Sequence, residues 1–337
     1  MRCLVWGAGA IGGTLGACLA RTGHDVTLVD TVAEHVHVIT ANGLRITGPV
    51  TEFTAQLPAF VPSRLKGTWD TIILATKAHH TEAAVRALRP HLSTGGCVIS
   101  AQNGLNELAI AGVVGEARTV GAFVNFGADY LEPGVIFYGG RGTVMVGEAF
   151  GKPIRVTPRV LAVEAAWKDF DDRARSTNNI WGYLWGKEAY GAMLFATALT
   201  NDSIADCLAR PAHRPLYVAL AREILAVAKA RGVKCESFDG FDPLAYAPDA
   251  PAGSADRSLD ALVAHNRTSA KTHTGVWRDL AIRKRPTEVD AQLGIIAWLG
   301  REVGVATPLT QALVKQIHEI ERGDRPQTTA NLDALTP

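Results

Sequence analysis

Short apolar runs rich in β-branched residues punctuate the first half of the chain. Residues 3–6, 26–29, 71–75, 97–101 and 120–126 each read as a strand, and the stretches between them read as helices or turns. Such alternation predicts a parallel sheet covered by helices. Two further runs, 134–138 and 143–146, flank a Gly-Gly-Arg-Gly turn and are expected to pair antiparallel at the sheet edge. From Ile180 the period changes. Residues 181–208, 215–231, 258–265, 287–303 and 309–322 carry helical patterns, and few β-branched runs remain. The segment 238–258, rich in Pro, Ala, Gly and Asp, reads as a surface loop between helices. The expected architecture is α/β: a doubly wound sheet domain over residues 1–175, then an all-helical domain over 176–337.

Composition narrows the class without naming a chemistry. A chain of 337 residues is long enough for two cores, since single cores seldom exceed about 250–300 residues. Lys plus Arg (34) nearly cancel Asp plus Glu (33), so no global field favours nucleic acid or an anionic membrane. Cys3, Cys18, Cys97, Cys207 and Cys235 are odd in number and form no C-x-x-C pair, which argues against a disulfide framework or a zinc site and fits a reducing compartment. No metal is expected. The chain opens directly into its first strand and no apolar run reaches membrane length, so a cytoplasmic protein is expected.

The first βαβ unit carries the strongest signal. Cys3-Leu4-Val5-Trp6 runs into Gly7, Gly9 and Gly12, and a second strand ends in Asp30. Gly7 can make the tight turn, Gly9 lets phosphates approach the backbone, and Gly12 lets the helix lie close to the strand. Ala10 and Ile11 open that helix, whose N-terminal N–H groups and partial positive charge suit a pyrophosphate. Strand, glycines, helix and acid together predict a Rossmann-type dinucleotide site. A carboxylate at Asp30 accepts ribose hydroxyls and repels a 2′-phosphate, and the adjacent Thr31 and Val32 offer that phosphate no cation. NAD(H) is therefore the expected cofactor. NADP(H) stays open, because Asp30 can instead cap the next helix.

Several short segments, taken in order, resemble the ketopantoate reductase (2-dehydropantoate 2-reductase) family over almost the whole chain. They are the glycine fingerprint, Ala75-Thr76-Lys77-Ala78, Gln102-Asn103-Gly104, Trp185-Gly186-Lys187 and Thr287-Glu288-Val289-Asp290. The resemblance implies hydride transfer from a nicotinamide to the C2 carbonyl of a 2-oxo acid, in a cleft between the two domains. Negative charge then builds on the carbonyl oxygen, which calls for a cationic acid beside it. By resemblance that acid is Lys187, on a helix otherwise occupied by Gly191, Ala192, Met193 and Ala196; a lysine snorkelling to water is the competing reading. Glu288 is implied as its partner, although Thr287 and the acids after it also read as an ordinary helix start. Lys77 and Asn103 are implied at the cofactor, Asn103 also at the substrate; a solvated lysine and an Asn-Gly turn are the plain alternatives. Thr274 is the candidate carboxylate anchor, with Arg278 a second option. His79 and His80 read as exposed loop histidines.

One departure from the family bears on substrate. Its members present asparagines one and two turns after the lysine, where this chain has Gly191 and Phe195, so a less polar pocket is expected. Ketopantoate, which would place the chain in pantothenate synthesis, and another 2-oxo acid both remain open, as does an NAD-dependent 2-hydroxy acid dehydrogenase. A non-catalytic dinucleotide-binding sensor is the alternative from another class. The expected partner is a small-molecule 2-oxo or 2-hydroxy acid. A homodimer is implied by the resemblance alone, and polar Asn201 and Asp202 have no assigned role.

Overall fold

The computed structural model describes residues 1–337, which divide into two compact units, Met1–Ile180 and Trp181–Pro337. In the first unit an eight-stranded sheet is built from β1 (Arg2–Trp6), β2 (Asp25–Val29), β5 (Ala59–Phe60), β6 (Trp69–Leu74), β7 (Leu92–Ser100), β8 (Thr119–Val124), β11 (Val144–Glu148) and β12 (Arg175–Ser176). Their order is β12-β11-β8-β7-β6-β1-β2-β5, parallel throughout except where β11 pairs antiparallel with β8. The central strands are apolar on both faces because both faces are covered. Along β1, Cys3 and Val5 join one core cluster, while Leu4 and Trp6 join the other. Helices α1 (Ala10–Arg21), α2 (Ala33–Asn42), α3 (Thr81–Leu88), α4 (Glu107–Val114) and α5 (Pro158–Trp167) connect these strands.

Two sequence expectations for this unit are corrected. The runs near 134–138 and 143–146 do not pair with each other. The first is β10 (Val135–Gly140), which pairs antiparallel with β9 (Gly127–Glu132) and parallel with β3 (Leu44–Thr47); with β4 (Phe53–Ala55) these make a separate four-stranded sheet. Both edges of β10 are thereby filled, and β11 joins β8 instead. The connecting Gly-Gly-Arg-Gly is a crossing between sheets rather than a hairpin turn. A Cβ at Gly142 would lie 2.2 Å from the Asn125 carbonyl oxygen, so only glycine lets the chain pass. The other difference is the division itself. Arg175 and Ser176 pair with Met145 and Val146, so the sheet continues past residue 175 and the first unit closes at Ile180.

The second unit is all-helical: α6 (Ile180–Thr197, from Trp181 onward), α7 (Ile204–Ala209), α8 (Arg214–Ala230), α9 (Ser254–Arg267), α10 (Gly275–Trp277, continued by a π turn Arg278–Ile282), α11 (Ile295–Glu302, preceded by a π turn Asp290–Gly294), α12 (Pro308–Glu321) and α13 (Ala330–Asp333). The expected single stretch over 181–208 is broken, because Ser203 caps a new helix by accepting from the Asp206 N–H at 3.1 Å. Nor is 238–258 a surface excursion. Phe238, Phe241 and Tyr246 are buried, their rings lying 5.5 Å and 5.3 Å apart in sequence along the cluster, and α9 begins inside the segment at Ser254. No helix is long and apolar enough to cross a membrane.

The crossing between the two sheets is held by charge. Arg141 reaches the buried Asp171 carboxylate through Nε at 3.0 Å and also contacts Asp172, while Arg173 donates to Asp171 at 3.1 and 3.2 Å. Burial alone would raise the Asp171 carboxyl, but the hydrogen bonds from Arg141 and Arg173 outweigh it and hold the group well below the usual carboxylate range. Asp171→Asn leaves two half-exposed guanidinium groups without their shared charge, and is expected to cost about 1–3 kcal/mol in denaturant unfolding at neutral pH. Because the folded pKa is depressed, the wild-type contribution is complete above the unfolded value near 3.9 and fades as pH falls below it. The gap between variant and wild type should therefore narrow in acid.

Candidate functional site

The C-terminal rim of the sheet gathers the dinucleotide signals. Gly7 follows β1 with φ +101°, and a Cβ there would lie 2.8 Å from Thr76 N. A Cβ at Gly12 would lie 2.0 Å from the Gly7 carbonyl oxygen, so glycine alone lets α1 close onto the loop. At Gly9 the opposite holds: a Cβ would meet no protein atom within 4 Å, leaving the backbone open to approach. Helix α1 starts at Ala10 and Ile11 with no side-chain cap and no acid in its first turn, so its N-terminal donors keep their attraction for an anion. Asp30 sits beside this loop, accepting from Ala8 N–H at 2.8 Å and from Val32 N–H at 2.9 Å. Both readings of Asp30 thus meet in one carboxylate, which supports the start of α2 and still has lone pairs for ribose hydroxyls. The cradle and the acid fit a nicotinamide dinucleotide.

Lys77 and Asn103 leave β6 and β7 at the same rim, and a polar relay ties their loops together. Gln102 Nε2 donates to the Thr76 carbonyl at 2.8 Å and to Thr81 Oγ1 at 2.9 Å. The Thr81 hydroxyl donates to Asn106 Oδ1 at 2.9 Å, and Asn106 Nδ2 donates to the Asn103 carbonyl at 2.6 Å. Asn103 is exposed, Lys77 half-buried, and His79 and His80 are exposed. In the sequence Gln102 stood in a family segment without a role of its own and Asn106 was not named, because a buried amide gives no motif.

In the helical unit, Lys187 lies on α6 among carboxylates. Part of its surface meets solvent, but desolvation of the ammonium lowers its pKa to about 8, against the upward pull of Glu188, Asp239 and Glu288; Lys271 pushes further down. Glu188, Asp239 and Lys271 were missed by sequence reasoning. Asp239 sits in a two-residue Asp-Gly turn, with φ +42° at Asp239 and +88° at Gly240, closed by reciprocal backbone bonds between Phe238 and Phe241 at 3.0 and 2.7 Å. That turn docks on α6: Glu236 N–H donates to the Gly182 carbonyl at 3.0 Å, and a Cβ at Gly186 would touch Glu236 O at 3.0 Å.

Glu288 is half-buried and its backbone is fixed from α12. The N–H and hydroxyl of Thr287 both donate to Glu321 Oε1 at 2.7 Å, and His318 joins Glu321 to Asp290 at 2.7 and 3.0 Å. Thr287 opens the helix as a cap does: its hydroxyl accepts from Val289 N–H, two residues on, at 3.2 Å, and the turn that follows is a π turn from Asp290. Thr274 is buried and caps α10 by accepting from Trp277 N–H at 2.9 Å, which leaves its own O–H to donate. Asn201 anchors the same segment through Trp277 Nε1 at 3.1 Å and His273 Nε2 at 3.2 Å, while Asp202 pairs with Arg210 at 2.9 Å. Arg278 is half-buried in the π turn. On the face shared with Lys187, a Cβ at Gly191 would meet nothing within 4 Å, and Phe195 is buried.

Two family models match almost the whole chain: Ketopantoate reductase PanE/ApbA over residues 3–151 and its C-terminal counterpart over 179–321. The chain belongs to the ketopantoate reductase family. A curated relative, the 2-dehydropantoate 2-reductase of Mesorhizobium japonicum, is 28% identical, with 96% of this chain and 99% of that protein aligned. Among solved structures, a PanE/ApbA family ketopantoate reductase from Ralstonia eutropha JMP134 matches with a TM-score of 0.79 at 24% identity, covering 96% of this chain and 99% of that one. D-mandelate dehydrogenase matches with a TM-score of 0.81 at 22% identity and the same coverage, a likeness of fold. As a ketopantoate reductase family member, the protein is an oxidoreductase acting on CH–OH groups.

The two loop glycines separate packing from binding. Gly12→Ala forces a Cβ into the Gly7 carbonyl and is expected to cost about 1–3 kcal/mol of stability along with NADH affinity. Gly9→Ala has room for its Cβ, so its melting temperature should match wild type while NADH affinity falls. Thermal denaturation and nicotinamide fluorescence titration of both variants check the contrast.

Proposed function

We propose that the protein reduces a 2-oxo acid with an apolar side chain to the 2-hydroxy acid, using NADH, with Lys187 as the general acid. The observation that carries this reading is an ammonium with a pKa lowered to about 8 among Glu188, Asp239 and Glu288. When bound, the nicotinamide supplies the hydride that adds to C2. Lys187 gives a proton to the carbonyl oxygen as charge develops there, so that hydride and proton together complete the hydroxyl. Glu288 and Asp239 favour the charged lysine before that transfer. Thr274 donates its hydroxyl to the substrate carboxylate, with Arg278 as a second donor. Asp30 accepts ribose hydroxyls, and Lys77 and Asn103 bind the cofactor from the neighbouring loops, Asn103 reaching the substrate as well.

Gly191 and Phe195 support an apolar substrate side chain, because neither offers a hydrogen bond to a substrate hydroxyl. D-mandelate dehydrogenase, of the same fold, was solved with NADH and anilino(oxo)acetate, which supports the choice of NADH and of a bulky 2-oxo acid. Reduction of ketopantoate is the second reading, favoured by the curated relatives of that activity that align along nearly the full chain. Loss of reduced-nicotinamide absorbance, followed with NADH and NADPH against ketopantoate and a panel of aliphatic and aromatic 2-oxo acids, separates the two. Preference for ketopantoate with NADPH would overturn the first reading.

Lysine chemistry sets two expectations. Lys187→Ala should lower kcat/KM for reduction by about 10²–10⁴-fold while NADH affinity stays near wild type. Because the acid must be protonated, kcat/KM for reduction should hold below pH 8 and fall as pH rises through about 8, and oxidation of the 2-hydroxy acid should show the opposite trend. Initial rates in both directions from pH 6 to 10 check the sign.

A further inference from the structure

The glycine-rich loop is gripped from a side chain that the fingerprint does not include. His35, in the first turn of α2, is fully buried. Its Nε2 lies 2.9 Å from the Ala8 carbonyl oxygen, and its Nδ1 lies 2.9 Å from the backbone N of Gly134. A carbonyl can only accept, so Nε2 carries the hydrogen; an amide N–H can only donate, so Nδ1 carries the lone pair. The ring is therefore a neutral imidazole in one tautomer, bridging two backbone sites 126 residues apart in sequence (134 minus 8). Tyr130 closes its flank edge-on at 5.0 Å.

Ala8 is consequently held on both sides. Its N–H goes to Asp30 and its carbonyl to His35, fixing the two successive peptide planes that meet at its Cα. In a trans peptide the carbonyl and the next N–H point in opposite directions. With the Ala8 carbonyl drawn toward α2, the N–H of Gly9 is aimed away from it, at the residue whose surroundings are open. An apolar side chain at position 35 would fill the same space but leave the Ala8 carbonyl and the Gly134 N–H without this partner.

We propose that His35 is a positioning residue for the dinucleotide: one imidazole pre-sets the Ala8–Gly9 peptide and couples the phosphate-binding loop to the β9–β10 turn of the second sheet. The role rests on the reading of that loop as a nicotinamide dinucleotide site. It acts through Ala8 and Gly9 and makes no contact with the reacting carbon.

The test uses the full chain. Direct titration with NADH, without oxo acid, is carried out on wild type, His35→Leu and His35→Gln, followed by steady-state kinetics and thermal denaturation. His35→Leu is expected to weaken NADH binding roughly tenfold while KM for the 2-oxo acid changes less than twofold. His35→Gln keeps a donor within reach of the Ala8 carbonyl and should recover most of that loss. Should His35→Leu fail to fold, the Gln variant and the imidazole ¹⁵N spectrum of wild type decide, the latter expected to show a neutral ring protonated at Nε2. NADH affinity unchanged in the Leu variant, equal loss in KM for both substrates, no recovery by Gln, or a ring protonated at Nδ1 would each overturn the role. A wild type that binds neither NADH nor NADPH would overturn the functional reading itself, an outcome distinct from failure of the variants alone.

Discussion

Taking a lysine ammonium out of water constrains the helical unit more than any other single interaction. Desolvation favours the neutral amine, and an amine cannot act as an acid. The fold answers with carboxylates from three separate places: Glu188 beside the lysine on α6, Glu288 ahead of the π turn, and Asp239 from a turn with left-handed backbone. Each has its own support. Gly186 lets the Asp239 segment close onto α6, and Glu321 with His318 fixes the backbone before Glu288. Burial would lower the His318 imidazole, but its bonds to Glu321 and Asp290 outweigh that and raise it.

The sheet unit solves a different problem, the presentation of backbone. The first turn of α1 itself carries no charged residue; donors come from the helix end, and the protein's work is to bring strand, loop and helix close enough together. Gly7 and Gly12 make that approach sterically possible. Asp30 then serves the loop through Ala8 as well as the ribose it is suited to bind. A change at Asp30 made to alter cofactor preference therefore also removes the acceptor that holds the Ala8 N–H in the phosphate loop.

Most of the framework was legible because it is written in local patterns. The β-branched runs marked β1, β2, β6, β7 and β8, and the glycine spacing marked the first βα turn. Where pairing partners are remote, the pattern was silent: residues 134–138 and 143–146 look like hairpin arms, yet the edges of β10 are taken by residues 127–132 and 44–47. The aromatic residues of 238–246 were hidden among Gly, Pro and Asp, so a core insertion read as a loop. Lys187 and Glu288 could be named through short family segments. Asp239 and Lys271 could not, because their relation to Lys187 exists only after separate chain segments converge, and Glu188, the next residue, carried no motif.

Gly191 has an implication for how this protein changes over generations. It lies one turn beyond Lys187 on a helix that otherwise tolerates little, being flanked by buried Tyr190, Ala192 and Met193. A side chain there would enter open space rather than a packed neighbour, and glycine at a helix interior is already a weak choice. Mutations at this codon can therefore alter what lies beside the lysine while leaving the fold intact or even firmer. If Lys187 acts as proposed, Gly191 is a position at which a change of substrate and a stable fold are not opposed.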